Sequence, residues 1–202
     1  METPRTKNMS LSDYLDLIIE MIDSEPINSD ISDGKASMKE VLDEFAKDTS
    51  YPPICKRLGR YLDRCKREIK PFENTFHKQQ FESLITDKNS LDRDYLAALY
   101  LLTAEDKTWR SVREFVSKNG IKYDLVTPVP KDSGYMLFNI ARDITDGTKH
   151  ITLRDIADKN VLTPSQFLLL CKALSISRYG VGAVGIKPRD PREEVVIFRL
   201  VK

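Results

Sequence analysis

The centre of the fold is predicted by one uncharged stretch in the middle of the chain, Y-L-A-A-L-Y-L-L at residues 95–102. All eight side chains are apolar or aromatic, so a helix formed by this stretch has no polar face. Ser90 or Asp92 is a suitable N-cap for such a helix. Because a helix that is apolar all round must be covered on every side, we predict that other helices pack around this one.

On both sides of this stretch, apolar residues recur at helical spacing. The helices predicted from this periodicity cover residues 11–24, 37–47, 54–70, 75–85, 106–118, 134–145, 153–157 and 165–174. The segments 182–186 and 195–201 are typical of strands, the second because it is rich in β-branched residues. The predicted fold class is therefore mainly α, a helical bundle-like domain with a C-terminal β-hairpin.

The 202 residues, 41% of them hydrophobic, are enough to form a substantial core. Residues 1–9 are predicted to form a flexible tail. Residues 10–70 form an N-terminal helical segment, acidic at first and then basic. Residues 71–202 form the main helical domain, which ends in the predicted hairpin.

The net charge of +1 conceals a strong segregation of charge. Residues 1–50 contain twelve acidic and five basic side chains, whereas residues 51–70 contain seven basic and two acidic ones. The two segments either neutralise each other within the fold, or the basic one meets an anionic partner. Neutralisation is slightly favoured, because groups of one chain meet at high effective concentration.

The basic segment is the best functional clue in the chain. Arg57, Arg60, Arg64 and Arg67 are spaced i, i+3, i+7 and i+10, so they share one face of the predicted helix 54–70. The guanidinium group pairs bidentately with phosphate or carboxylate. This face is therefore a candidate binding site for nucleic acid or another anionic partner. The alternative is a solvated helix surface without a function of its own.

The C-terminal third has the outline of a winged helix. Helices 153–157 and 165–174 would form the helix-turn-helix, and the hairpin would form the wing, with Lys187, Arg189 and Arg192 at its tip as further candidate binding residues. A recognition helix must expose several polar side chains to base edges. Because the second helix contains F-L-L-L at residues 167–170, burial is favoured over DNA reading.

A glycine motif overlaps the first strand of the predicted hairpin. Gly180, Gly182 and Gly185 match the dinucleotide-binding pattern G-x-G-x-x-G, but no helix is predicted after them. A glycine-loosened strand or a close backbone approach is favoured instead.

The residues that catalysis and metal binding require are sparse. His77 and His150 have no partners at metal-ligand spacing, so no metal, cofactor or catalytic residue is predicted. Cys55, Cys65 and Cys171 are too widely spaced for a metal site and are expected to be reduced thiols of a cytoplasmic protein, with Cys171 buried and inert. No apolar run reaches the roughly 18 residues of a membrane span, so no membrane contact is expected.

The segments F-H-x-x-x-F-x-x-L at residues 76–84 and D-Y-L-A-A-L-Y-L-L at residues 94–102 carry a family resemblance. Over residues 75–116 the chain resembles uncharacterised small helical proteins of bacterial chromosomes and prophages. The resemblance implies a bacterial or phage origin and marks His77 as the first position to examine. It implies no activity.

These observations lead to three functional hypotheses. The first is a non-enzymatic binding protein that acts through an interface with a protein partner. The alternative is a nucleic-acid-binding regulator that uses helix 54–70 and the hairpin tip. The third is an enzyme with a spatially assembled site near His77 or His150.

Overall fold

A computed structural model of the protein describes residues 9–22, 29–49, 51–85, 92–127 and 133–187. Within these ranges the chain forms ten α-helices and one two-stranded antiparallel hairpin, which confirms the mainly helical class. The helices are α1 Leu11–Ile22, α2 Ser29–Ser32, α3 Met38–Asp48, α4 Pro52–Arg64, α5 Thr75–Leu84, α6 Arg93–Thr103, α7 Asp106–Val112, α8 Ser133–Asp146, α9 Leu153–Ala157 and α10 Pro164–Tyr179. The strands are β1 Val116–Ser117 and β2 Gly120–Ile121.

Helix α6 lies at the centre of the fold, as predicted. Every residue from 96 to 103 is buried, and α6 packs against α5, α7, α8 and α10. Helix α10 is the second central helix, since residues 166–176 are all buried. Two helices without a polar face can be stable only when they cover each other and are covered by the rest, which is the arrangement found.

The core continues across residues 70 and 71, where the two predicted segments meet. Buried side chains from α3 and α4 belong to the same apolar cluster as those of α6 and α10. Helix α3 packs against both α4 and α10, and α4 also packs against α9. Whether residues 10–70 fold independently stays a prediction, and residues 1–8 of the predicted tail lie outside the described residues.

Local sequence fixes where several helices begin. The Ser37 hydroxyl accepts from the Glu40 amide, and the Glu40 carboxylate accepts from the Ser37 amide, so the two form a capping box at the start of α3. Thr163 and Gln166 form the same arrangement at α10, with Pro164 as the first helical residue. These caps place α10 and α3 where periodicity predicts them.

Helix α4 ends earlier than predicted, at Arg64 instead of Lys70. Cys65 is extended, although its amide still donates to the carbonyls of Tyr61 and Leu62. The chain then runs without helix to α5, burying Ile69 and Phe72 on the way. Tertiary burial of these two side chains thus overrides a locally helical pattern.

The described hairpin lies in the middle of the chain. The predicted helix 106–118 stops at Val112, and β1 pairs with β2 through Ser117 and Gly120. Lys118 and Asn119 form the two-residue turn between the paired Ser117 and Gly120, and Gly120 has φ 129°, a backbone conformation that favours glycine. The prediction of a helix up to residue 118 is therefore wrong.

The predicted strand 182–186 is also wrong, because Val181–Val184 form a 3-10 helix. A Cβ atom on Gly182 would lie 2.2 Å from the carbonyl oxygen of Ser32, so only glycine allows α2 to approach this closely. The close backbone approach proposed for the glycine motif is confirmed. The predicted strand 195–201 and the tip residues Arg189 and Arg192 lie outside the described residues.

None of the helices in the described ranges combines the length and the apolar character that crossing a membrane requires.

Candidate functional site

A surface groove with a volume of about 590 Å³ runs along α4. Helix α4 forms one wall, and the other wall consists of the end of α9, the turn after it and the start of α10. We call this recess the basic groove. It is lined by the side chains of Pro53, Lys56, Arg57, Arg60, Tyr61, Arg64, Cys65, Ala157, Lys159, Pro164 and Phe167.

The amphipathic pattern of α4 decides which of its side chains line the groove. Ile54, Leu58 and Leu62 recur every four residues and are buried in the core. The groove residues of α4 recur at steps of three and four on another face of the helix. Burial of the apolar face therefore turns the arginine-bearing face toward the groove.

Four cations in the groove have no ion-pair partner among the described residues. Lys56, Arg60 and Arg64 are exposed, and they and Lys159 form no ion pair with any described residue. Among the described residues that line the groove, none carries a carboxylate. In the described part of residues 1–50, likewise, no acidic side chain pairs with α4. The slightly favoured expectation of neutralisation within the fold is thus not met in this part of the chain.

Arg57 has a structural role instead. Its guanidinium donates to the carbonyls of Ile156 at 2.6 Å, Asp158 at 3.2 Å and Leu162 at 2.5 Å, and lies 4.1 Å from the centre of the Phe167 ring. Burial lowers the pKa of Arg57 from its ordinary value. These contacts fasten α4 to the turn between α9 and α10, and so hold the two walls of the groove together.

The other predicted binding residues have different positions. Arg67 is exposed beyond the end of α4 and does not line the groove. Lys187 is exposed at the end of the last described range and is also outside the groove. Arg189 and Arg192 lie outside the described residues. The structure therefore brings together Arg57, Arg60 and Arg64 from the predicted set.

Sequence reasoning missed the cation on the opposite wall, Lys159. It belongs to the short turn between α9 and α10, and nothing in its neighbourhood along the chain distinguishes it from other exposed lysines. Only the packing of α4 on α9 brings it to the groove. Lys56 was visible as part of the basic helix, and its spacing of four from Arg60 could have placed it on the same wall.

Helix α10 does not serve as a recognition helix. Its side chains are buried from Gln166 to Ile176, so no row of polar groups faces outward to meet base edges. The prediction that this helix is buried is confirmed.

His77 is a core residue. It is fully buried against Phe72 and Tyr100. Its Nδ1 accepts from the Glu73 amide at 3.3 Å, so its Nε2 donates to the Tyr100 carbonyl at 2.9 Å. Burial lowers the pKa of His77 to about 4. Both ring nitrogens are engaged inside the core, which leaves none for a substrate.

His150 is half exposed and pairs with a buried carboxylate. Its Nδ1 lies 2.8 Å from Oδ1 of Asp143. The Asp143 carboxylate also accepts from the Ile151 amide at 2.8 Å and from the Thr148 hydroxyl at 2.7 Å. These bonds fix the loop between α8 and α9, and this structural role accounts for the pairing.

Cys171 and the potential metal ligands offer no second site within the described residues. Cys171 is buried, and burial raises the pKa of its thiol far above the ordinary value, as expected for an inert core cysteine. Within the part of the chain that the structure describes, no three side chains of His, Cys, Asp or Glu are grouped so that they could hold a metal ion.

Comparison with known proteins gives no relative: no family model, no curated protein and no solved structure matches this chain. The resemblance of residues 75–116 to small bacterial and prophage proteins stays a prediction.

Proposed function

We propose that the protein is a non-enzymatic binding protein that takes up an anionic partner in the basic groove. The observation that carries this proposal is the set of four cations, Lys56, Arg60, Arg64 and Lys159, that surround the groove without an ion pair to any described residue. The proposal includes a cytoplasmic location, which the three free cysteines favour.

Electrostatics supports an anionic occupant. Successive cations on α4 are one turn apart, about 6 Å along the helix axis, which is well within the Debye length of about 8 Å at physiological salt. Their mutual repulsion is relieved when a ligand brings negative charge between them. A cleft lined by one sign of charge also concentrates ligands of the opposite sign and raises their association rate.

A protein partner is favoured over a nucleic acid by the apolar groups in the groove. Pro53, Ala157 and Pro164 contribute carbon surface between the cations, and such surface suits apolar side chains. A nucleic acid is the second candidate, because cations repeated at every turn of α4 could meet successive phosphates.

The experiment is a binding titration with two labelled polyanions, a glutamate-rich peptide and a single-stranded oligonucleotide, across a salt series. At least one probe is expected to bind, with affinity that falls steeply as salt rises. The double variant Arg60→Glu with Arg64→Glu should lose this binding.

The matched control is Lys107→Glu with Arg113→Glu. Both residues are exposed, have no ion pair with a described residue and lie outside the groove, and the pair changes the net charge by the same amount. Its binding should remain within about twofold of the unmodified protein, since only general attraction changes. Equal losses in the two double variants, or no binding of either probe, would show that the groove is not the site.

A further inference from the structure

We infer that the partner is an acidic amphipathic α-helix of another protein. It places apolar side chains against the apolar and aromatic residues that line the basic groove, which we call its floor, and carboxylates against the cations of the groove. The inference rests on the proposed function and names the partner of that same site. Three properties of the groove lead to it: its floor, its walls and the spacing of its charges.

The floor has too few open aromatic faces for single-stranded nucleic acid. Such ligands bind by stacking successive bases on aromatic side chains along a basic groove. Phe167 is 1% exposed and already has the Arg57 guanidinium over its ring. Of the described residues that line the groove, Tyr61 alone offers a half-buried ring, which is one platform for a ligand that needs several. Aliphatic and aromatic side chains of a peptide need only carbon surface, and the floor supplies it.

Duplex DNA does not fit the shape. It is read by an element that projects into the major groove. Here Arg60 and Arg64 line a recess whose opposite wall carries Lys159, so the cations border a hollow and not a projecting element.

The walls favour a helix over an extended peptide. An extended segment leaves its own amides and carbonyls to be satisfied by the receptor, as happens at the edge of a sheet. One wall is the helix α4, whose backbone groups bond internally, and on the other wall the carbonyls of Ile156, Asp158 and Leu162 already accept from Arg57. A helical partner satisfies its own backbone and contributes only side chains.

The spacing of the cations on α4 matches the spacing of carboxylates on a helical partner. Lys56, Arg60 and Arg64 follow each other at intervals of four residues, and carboxylates at intervals of four on a partner helix repeat with the same rise of about 6 Å. The lining of α4 extends from Pro53 to Cys65, about 18 Å, which corresponds to about twelve residues of a partner helix. A volume of about 590 Å³ accommodates one row of apolar side chains.

The experiment compares three labelled probes by fluorescence anisotropy with the full chain. The first is a peptide of about sixteen residues with glutamates four apart beside a leucine stripe. The second has the same composition in a scrambled order that cannot form an amphipathic helix. The third is a single-stranded oligonucleotide of the same net charge. Circular dichroism records whether the first peptide gains helix when it binds.

The expected result is that the first peptide binds at least about tenfold more tightly than the scrambled one and becomes helical. Arg60→Glu with Arg64→Glu should weaken it by about tenfold or more, whereas Lys107→Glu with Arg113→Glu should not. Replacing the leucine stripe of the peptide by glutamine should weaken binding similarly, a test of the floor that leaves the protein unaltered.

The possible failures are distinguishable. Tighter binding of the oligonucleotide, with the same dependence on Arg60 and Arg64, would overturn the helical partner but leave the proposed function standing. Equal affinity for the ordered and scrambled peptides would do the same. If none of the three probes binds, both proposals are wrong.

Discussion

Acidification should destabilise the protein through one buried histidine, His77. Its ring lies in an aromatic cluster formed by Phe72, Phe81 and Tyr100, and its two nitrogens bond to backbone groups in the neutral form. Burial is the main cause that lowers the pKa of His77 from 6.5 to about 4, and the nearby Lys172 ammonium acts in the same direction. The folded protein therefore resists a proton that the unfolded chain accepts readily.

The sign and size of the effect follow from proton linkage. Between pH 6.5 and pH 4 the unfolded state binds more protons at His77 than the folded state, so the free energy of unfolding falls as the pH falls. A difference of about 2.5 pKa units at about 1.36 kcal/mol each, less the part already titrated in the folded state, gives a loss of about 3 kcal/mol by pH 4. Above pH 6.5 the His77 ring is neutral in the folded and the unfolded state alike, so this loss of stability is absent.

The assay is urea unfolding at a series of pH values for the protein and for His77→Gln. Glutamine does not titrate and can still donate to the Tyr100 carbonyl, while all carboxylates contribute equally in both proteins. Although the variant should be less stable at pH 7, its free energy of unfolding should fall by about 3 kcal/mol less between pH 7 and pH 4. Parallel losses in the two proteins would refute the assignment of His77 as a neutral core residue.

Four further substitutions test the packing and the hydrogen bonds of the fold. Gly182→Ala should lower the free energy of unfolding by about 1–3 kcal/mol, because its Cβ would lie 2.2 Å from a backbone oxygen of α2. Gly59→Ala, whose Cβ meets no atom within 4 Å in the middle of α4, should instead raise it by about 0.5–1 kcal/mol, and thermal unfolding compares the two. Arg57→Met should remove the side-chain donor of the Ile156 and Leu162 carbonyls, cost about 2–3 kcal/mol and speed hydrogen exchange in the turn between α9 and α10; unchanged exchange there would contradict the structural role of Arg57. Asp143→Asn should cost about 1–3 kcal/mol in urea unfolding, because a charged acceptor of backbone amides becomes neutral; an equally stable variant would show that the loop does not depend on that charge.

The centre of the fold is predictable from sequence because its helices have no polar face. Residues 95–102 and 167–170 contain no charged side chain, and burial is the only stable arrangement for helices built on them. Local caps are equally readable, since Ser37 and Thr163 satisfy the first amides of their helices by bonds within four residues. Both kinds of information are local.

The wrong predictions of secondary structure concern segments whose conformation is set by contacts with residues elsewhere in the chain and not by local preference. Nothing near Arg64 marks the end of α4, which is set by the burial of Ile69 and Phe72 further along. The conformation around Gly182 depends on α2, which is about 150 residues away in sequence, so a glycine-rich segment that resembles a strand becomes a 3-10 helix.

Only one wall of the candidate site could be predicted from the sequence, for the same reason. The arginine face of α4 follows from periodicity, but its opposite wall comes from the turn that carries Lys159. Sequence also could not show that Arg57 bonds to carbonyls about one hundred residues away, whereas Arg60 and Arg64 stay available for a ligand. Equivalent positions on one helix face thus have different roles once the second wall is present.

The most direct test of the central claim is a titration of isotope-labelled protein with the acidic amphipathic peptide, followed by amide chemical shifts. We expect the shifts to cluster on α4 and on the turn between α9 and α10, and to be absent in Arg60→Glu with Arg64→Glu. Shifts that instead cluster on α7 and α8, or that stay unchanged in the double variant, would contradict the central claim.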